Sequence, residues 1–304
     1  MRRTLAGSVA AGVLLTAGCS DEPLADPKQP TPTTSAPMTT AAAPTLAPKV
    51  FEGARAMATV RLLAGRGPRL ATEPEYAAAA DVLEPRLESA GYAVRRQRFA
   101  VPGGDSWGVP AAAGTSFNVI AEPPGFAPGR PHTVVGAHLD TIAVSPGAED
   151  NASGVAVVLE LARVLAGEPQ VVLVLFGGEE PRGAGDLHHF GSKEYVEEAG
   201  RVTAMVSLDR VGVGTQVPIG FFPGTDLGPA EELTAAAKQA SVPVVVAANT
   251  TSDHESFAVA GIPAARLGST EYAAYHSADD LPGVVSPAQL SRTGRLLLAW
   301  LRAS

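Results

Sequence analysis

The sequence predicts an α/β domain, a three-layer α/β/α sandwich around a mostly parallel mixed sheet. Three observations carry this. Short strand-like apolar runs alternate with helical patterns over most of the chain, which is how a sheet covered by crossover helices reads. The run 170–176 is almost wholly apolar, as a strand covered on both faces must be. Residues 50–304 form a stretch of about 255 residues, a normal length for one large α/β domain with a substantial core.

The elements follow in chain order. Residues 50–63 read as a first helix. Residues 75–91 read as a second, with Ala78, Val82, Leu83, Leu87 and Ala90 on one face and Gly91 as the stop. Residues 92–101 alternate and read as an edge strand. Residues 117–121 and 133–137 are short strands, separated by a Pro/Gly turn over 123–131. A helix at 153–165 precedes the apolar strand 170–176. A strand at 203–208, a helix at 229–240, strands at 242–247 and 264–267 and a closing helix at 287–301 complete the series. There are no internal repeats. In such folds ligands lie outside the carboxyl ends of the strands.

The first residues read differently. Arg2 and Arg3 precede a short apolar run, too short to span a membrane, that ends in Leu15-Thr16-Ala17-Gly18-Cys19. Residues 1–19 read as a secretory signal whose end resembles a bacterial lipobox, with lipid carried on Cys19. Cys19 is the only cysteine, so the domain has no internal disulfide. Residues 20–49 are rich in Pro, Thr, Ala and Ser and read as an extended linker. The expectation is an exported protein, lipid-anchored to the outer face of the bacterial cell membrane or secreted. The net charge of −8 and pI near 5.3 speak against nucleic acid, which needs surplus Lys and Arg. The expected oligomeric state is a monomer.

Acidic and histidine residues fall where the strands end. His138 and Asp140 follow 133–137, Asp150 precedes the helix at 153, and Glu179 and Glu180 follow 170–176. Asp209 follows 203–208, and His276 lies in the loop after 264–267. Alone, each is equally a surface histidine, a solvated charge or a turn cap. Together they suit a metal centre. Zinc takes imidazole and carboxylate where no thiolate is offered. A pair of ions ~3.5–4 Å apart needs a carboxylate facing both. Asp150, in the small-residue stretch GAEDNASG (147–154), is the candidate. His138 and Asp209 can serve one ion, Glu180 and His276 the other. Glu179 is left free as general base. Asp140 can accept the second N–H of His138 and fix its tautomer.

These stretches resemble the M28 family of co-catalytic zinc peptidases, most of them aminopeptidases. The matching segments are AHLDT (137–141), GAEDNASG (147–154), FGGEE (176–180), SLDRVG (207–212), SDHESFAVAGIPAARL (252–267) and YHSADD (275–280), and residues 65–92 are similar to the family's N-terminal helices. The resemblance implies two zinc ions per chain on His138, Asp150, Glu180, Asp209 and His276, with Asp150 between them. It implies Glu179 as base, Asp140 behind His138, and Tyr275 as a phenol that helps the oxyanion. Asp253 and His254 read as structural supports. The implied reaction removes an N-terminal residue from a peptide substrate through a water shared by the ions. The sequence also departs from the family. Residues 181–190 form an insertion beside the site; its His188 and His189 read as loop residues, since five ligands are complete without them. Arg210 stands where an apolar residue is usual and could bind a substrate carboxylate or pair with a surface acid. Glu149 is an acceptable variant. The alternatives are a carboxypeptidase or dipeptidase, a single-zinc glutaminyl cyclase-like acyltransferase, or an inactive binding module.

Overall fold

A computed structural model describes residues 49–303, apart from 167 and 169. The signal segment, Cys19 and nearly all of the linker lie outside these residues. Among the described residues no helix is long and apolar enough to cross a membrane.

Helices α1 (Gly53–Ala64) and α2 (Pro74–Ser89) lead into the edge strand β1 (Ala93–Val101). A small hairpin, β2 (Gly104–Ser106) and β3 (Val109–Ala111), follows, then β4 (Gly114–Glu122) and β5 (His132–His138). An irregular turn over Ala148–Ala152 enters α3 (Ser153–Leu165), and β6 (Val171–Phe176) leads to α4 (Phe190–Glu198). The chain continues through β7 (Val202–Asp209), β8 (Val217–Phe221), α5 (Gly228–Ala240), β9 (Val244–Ala248), α6 (His254–Val259), β10 (Ala264–Gly268) and α7 (Pro287–Ala303).

Eight strands form one sheet in the order β1-β4-β6-β5-β7-β10-β8-β9. The centre is parallel: β6 with β5, β5 with β7, and β7 with β10. Antiparallel pairs β1/β4 and β4/β6 lie toward one edge, and β10/β8 toward the other. Strand alternation assigns each face its own core. In β6, Val171, Leu173 and Leu175 join the core under α1, α2, α3, α5 and α7, whereas Val172, Val174 and Phe176 join a smaller core with Tyr195 of α4 and Phe257 of α6. Those two cores make three layers.

Two expectations change in detail. The buried face of α2 is Tyr76, Ala79, Ala80, Leu83 and Leu87, so Ala78, Val82 and Ala90 are only half-buried. Tyr76 sets this rotation: its hydroxyl donates to the Phe117 carbonyl at 2.6 Å and its ring packs edge-on against Phe117. The expected series also lacked β2, β3, β8, α4 and α6. These are short or of mixed polarity, with too few residues to establish a period.

Candidate metal centre and active site

The parallel strands deliver the polar residues to one rim. His138 is the last residue of β5 and Asp209 the last of β7. Glu179 and Glu180 follow β6, Asp150 sits in the turn before α3, and His276 lies in the loop after β10. Asp150 spans the two histidines: its Oδ1 is 3.2 Å from His138 Nε2 and its Oδ2 is 3.2 Å from His276 Nε2. Asp209 Oδ1 lies 3.5 Å from His138 Nε2, and Glu180 Oε2 lies 3.5 Å from His276 Nε2. Glu179 Oε2 stands 3.9 Å from His138 Nε2.

The turn that carries Asp150 depends on small residues. Gly147 is left-handed at φ 61°, and a Cβ there would meet the Asp150 carbonyl and the Thr141 methyl, each at 2.3 Å. A Cβ on Gly154 would meet the Leu208 carbonyl at 2.5 Å, so only glycine lets α3 lie this close to β7. The Asp150–Asn151 peptide is cis. Asp280 holds the turn from outside: Glu149 N–H donates to its Oδ1 at 2.9 Å and Asp150 N–H to its Oδ2 at 3.1 Å. Buried Arg69 ties the same loop down, donating to the carbonyls of Leu139, Pro146 and Gly147. The Glu149 carboxylate turns away from the site and accepts from the amides of Gly212 and Val213.

Asp140 acts differently from expectation. The Nδ1 of His138 bonds the Asp140 backbone carbonyl at 3.1 Å, while the Asp140 carboxylate is 3.9 Å away. That carboxylate accepts instead from the amides of Glu179 and Glu180, each at 3.2 Å. With the turn after β6 pressed against it, Asp140 satisfies two amides that would otherwise be unpaired in the interior. It orients the imidazole through the main chain and the two glutamates through the side chain.

The electrostatics are those of crowded buried acids. Burial works against the Asp209 charge, but Arg266, His138 and Arg210 hold its pKa well below the carboxylate range. Arg266 Nη2 reaches Asp209 Oδ2 at 2.8 Å, which leaves Oδ1 to the cluster. Asp150 is likewise held down, to about 2, by His138 and His276 against the effect of burial. Glu180 is pushed well up, by burial first and then by Asp150 and Glu179. Burial would depress His138, yet Glu179, Asp150 and Asp209 raise it well above its ordinary value.

This donor set fits a metal. His138 Nε2 and Asp209 Oδ1 are buried with no hydrogen-bond partner among the described residues. The donor atoms of His138, Asp150 and Glu180 lie within 4.8 Å of one another, as do those of His138, Glu179 and Asp209. Imidazole nitrogen with carboxylate oxygen suits zinc, and a divalent cation would relieve the crowded charge.

Beside the cluster is a cavity of about 380 Å³, within the range of small-ligand sites. Asp150, Glu179, Glu180, Asp209 and His276 line it, and the hairpin between β1 and β4 adds Trp107. Trp107 packs edge-on against His276, and Tyr275 stacks on His276 with ring centroids 3.7 Å apart. Arg210 lies over the Tyr275 ring at 4.3 Å and donates to Ser269 Oγ at 3.0 Å. Its nearest acid is Asp209, at 3.8 Å, rather than a surface residue. Asp253 and His254 are fully buried behind the cavity, with His254 Nε2 bonded to the Asn249 carbonyl at 3.0 Å.

Sequence reasoning passed over several contributors. Arg266 stands as one cation inside the apolar strand β10, a signal that was available. Asp280 lies inside the segment YHSADD (275–280), where nothing local marks it as the cap of the turn before α3. Glu255 and His189 come together from α6 and the insertion. The donor atoms of His188, His189 and Glu255 lie within 4.8 Å of one another. His188 and His189 lie in the loop before α4, as expected, and both line the cavity.

Known proteins are similar to this chain in sequence and in fold. Residues 118–301 match Peptidase family M28. The chain is similar to aminopeptidase YwaD of Bacillus subtilis, 32% identical over 184 residues that cover 54% of this chain and 39% of that protein. It is similar to leupeptin-inactivating enzyme 1 of Streptomyces exfoliatus, 32% identical over 205 residues, 63% of this chain and 42% of that protein. The matched part is thus well under half the length of either relative. Among solved structures, the fold resembles the zinc aminopeptidase BSAP of Bacillus subtilis, with TM-score 0.72 and 19% identity over 83% of this chain and 95% of that one. It also resembles a glutaminyl cyclase of Porphyromonas gingivalis, with TM-score 0.74 and 23% identity over 84% and 99%. The family match covers more than half of the chain and includes every strand end that carries the cluster: the chain belongs to peptidase family M28.

Proposed function

We propose that the protein is a zinc-dependent exopeptidase that removes the N-terminal residue of a peptide, with His138, Asp150, Glu180, Asp209 and His276 as ligands of two zinc ions. The observation that carries this reading is Asp150, whose two oxygens face two histidines, each accompanied by one further carboxylate. Zinc held there would supply the Lewis acid that polarises the scissile carbonyl and makes water acidic enough to attack.

The chain supplies the rest. Glu179 lies beside the ligand cluster with Oε2 turned toward His138, and it removes a proton from the attacking water. The water oxygen bonds to the carbonyl carbon. As the C–N bond breaks, Glu179 returns that proton to the leaving amine. Tyr275, 40% exposed at the cavity wall, would donate from its hydroxyl to the developing oxyanion. The buried carboxylates favour a cationic α-amine at the cavity floor, which selects a free N-terminus.

Glu179→Ala is expected to lower kcat on a free aminoacyl chromogenic peptide by at least ~100-fold, at the scale of general base catalysis. Zinc content should be unchanged. Full activity in this variant sinks the assignment of the base. N-blocked and C-blocked peptides assayed in parallel separate an aminopeptidase from a carboxypeptidase or dipeptidase. One zinc per chain with cyclisation of an N-terminal glutamine would favour the acyltransferase alternative.

A further inference from the structure

The insertion 181–190 does not hang over the site as a free loop. Three successive backbone hydrogen bonds fold its end against the turn after β6: His189 N–H donates to the Glu179 carbonyl, Phe190 N–H to Gly178 and Gly191 N–H to Gly177, at 2.9–3.1 Å. The chain then enters α4 through His189 itself, in a left-handed conformation at φ 56°. A non-glycine residue keeps such a backbone only where its surroundings over-determine it.

The consequence is the placement of one side chain. His189 is 3% exposed. Its Nε2 lies 3.2 Å from Glu179 Oε1, and its Nδ1 lies 3.1 Å from Glu255 Oε2. The ring is thus wedged between two carboxylates. Other titratable groups near it are His188, whose ring packs edge-on at 4.0 Å, Asp253, His254 and Asp186. The Ser252 amide also approaches Nε2, at 3.1 Å, and donates to it when that nitrogen is unprotonated. A neutral ring protonated on Nδ1 satisfies that amide but sets the Nε2 lone pair against Glu179, and one protonated on Nε2 loses the amide and sets the Nδ1 lone pair against Glu255. An imidazolium turns an N–H toward each carboxylate at ion-pair distance, at the expense of one neutral hydrogen bond. Charge-assisted bonds are roughly twice as strong as neutral ones, so the imidazolium prevails. An imidazolium has no lone pair for a cation, which argues against a further metal on His188, His189 and Glu255.

We propose that His189 is a positioning residue for the general base: anchored by Glu255, its imidazole holds Glu179 Oε1 so that Oε2 faces the ligand cluster. This rests on the reading of Glu179 as the base. A carboxylate free to rotate about its last torsion would spend part of its time with neither oxygen aimed at the cluster, and small misplacements of a catalytic group lower the rate steeply. The insertion is then a strut for the catalytic machinery.

Three variants test this, assayed on free aminoacyl p-nitroanilides with zinc counted in each. His189→Ala is expected to lower kcat about 100-fold with KM within about twofold. His189→Gln places an amide donor near the position of Nε2 and should recover most of the loss. His189→Asn places its donor near Nδ1, reaches Glu255 but not Glu179, and should stay close to His189→Ala. Wild-type 15N spectra should show both ring nitrogens of His189 protonated. Equal activity of the Gln and Asn variants, a loss confined to KM, or a neutral ring would overturn the proposal. So would the loss of a zinc equivalent in His189→Ala, which would make His189 a ligand. Glu179→Ala separates the two failures: if it retains turnover, the base assignment falls; if it is inactive while His189→Ala is active, only the role of His189 falls.

Discussion

At the scale of the residue, the site is a problem of buried charge. Four carboxylates and two imidazoles share one rim, and each acid is tuned by what lies behind it. Arg266 keeps Asp209 ionised, whereas Asp140 spends its charge on two backbone amides. Asp253 has less relief, from His189 and His138 at a distance and from Ser192. Both its oxygens are buried without a hydrogen-bond partner among the described residues. Burial, and then the charge of Glu179, push its pKa from 3.8 to about 7. A folded-state value above the unfolded one means that the native protein holds a proton the unfolded chain has released. The contribution of Asp253 to the stability of the metal-free protein should therefore fall as pH rises from about 4 to about 7, by on the order of 4 kcal/mol at ~1.4 kcal/mol for each pH unit between the two values, while His254, pushed down to about 4 by burial, works in the opposite direction. Asp253→Asn, neutral at every pH, should flatten this slope. Urea denaturation across that range checks it, and an unchanged slope would remove Asp253 as its source.

At the scale of the element, strand ends supply the groups and turns aim them. The turn before α3 makes the largest demand, because it presents Asp150 to two histidines. Asp280 caps it with two amide bonds and is itself held by the Tyr272 hydroxyl at 3.1 Å. Asp280→Ala leaves those amides unpaired and lets the turn relax. Zinc affinity is expected to fall ~10–100-fold, the usual cost of losing a residue that orients a ligand. Competition with a chromophoric chelator measures this. Unchanged affinity would show that Gly147 and Arg69 hold the turn unaided.

At the scale of the whole molecule, the sheet brings together candidate ligands from five separate segments, and a metal that binds only the folded chain is linked to its stability. At free zinc about a thousandfold above Kd, the native state should gain ~4 kcal/mol. Chelation should lower the denaturation midpoint accordingly and abolish turnover, and zinc should restore both. A midpoint indifferent to chelator would mean that the cluster holds no metal in the native protein. The expected α/β/α architecture was legible because parallel strands buried on both faces write themselves as apolar runs such as 170–176, and long helices such as α3 and α7 write their own period. The candidate ligands were legible because His138, Glu180 and Asp209 stand at or just after strand ends, with Asp150 in the small-residue turn before α3 and His276 in the loop after β10. Contacts made across the fold were not. Nothing near Arg266 announces Asp209, nothing near Asp280 announces Asp150, and the His-His pair of the insertion looks like loop until α4 and α6 close on it. The sequence alone thus determined which groups reach the rim, because strand order and chemistry are local. Only the tertiary structure decided how those groups are charged and aimed, because the salt bridges, caps and buried carboxylates that do so join residues that meet only when the sheet is assembled.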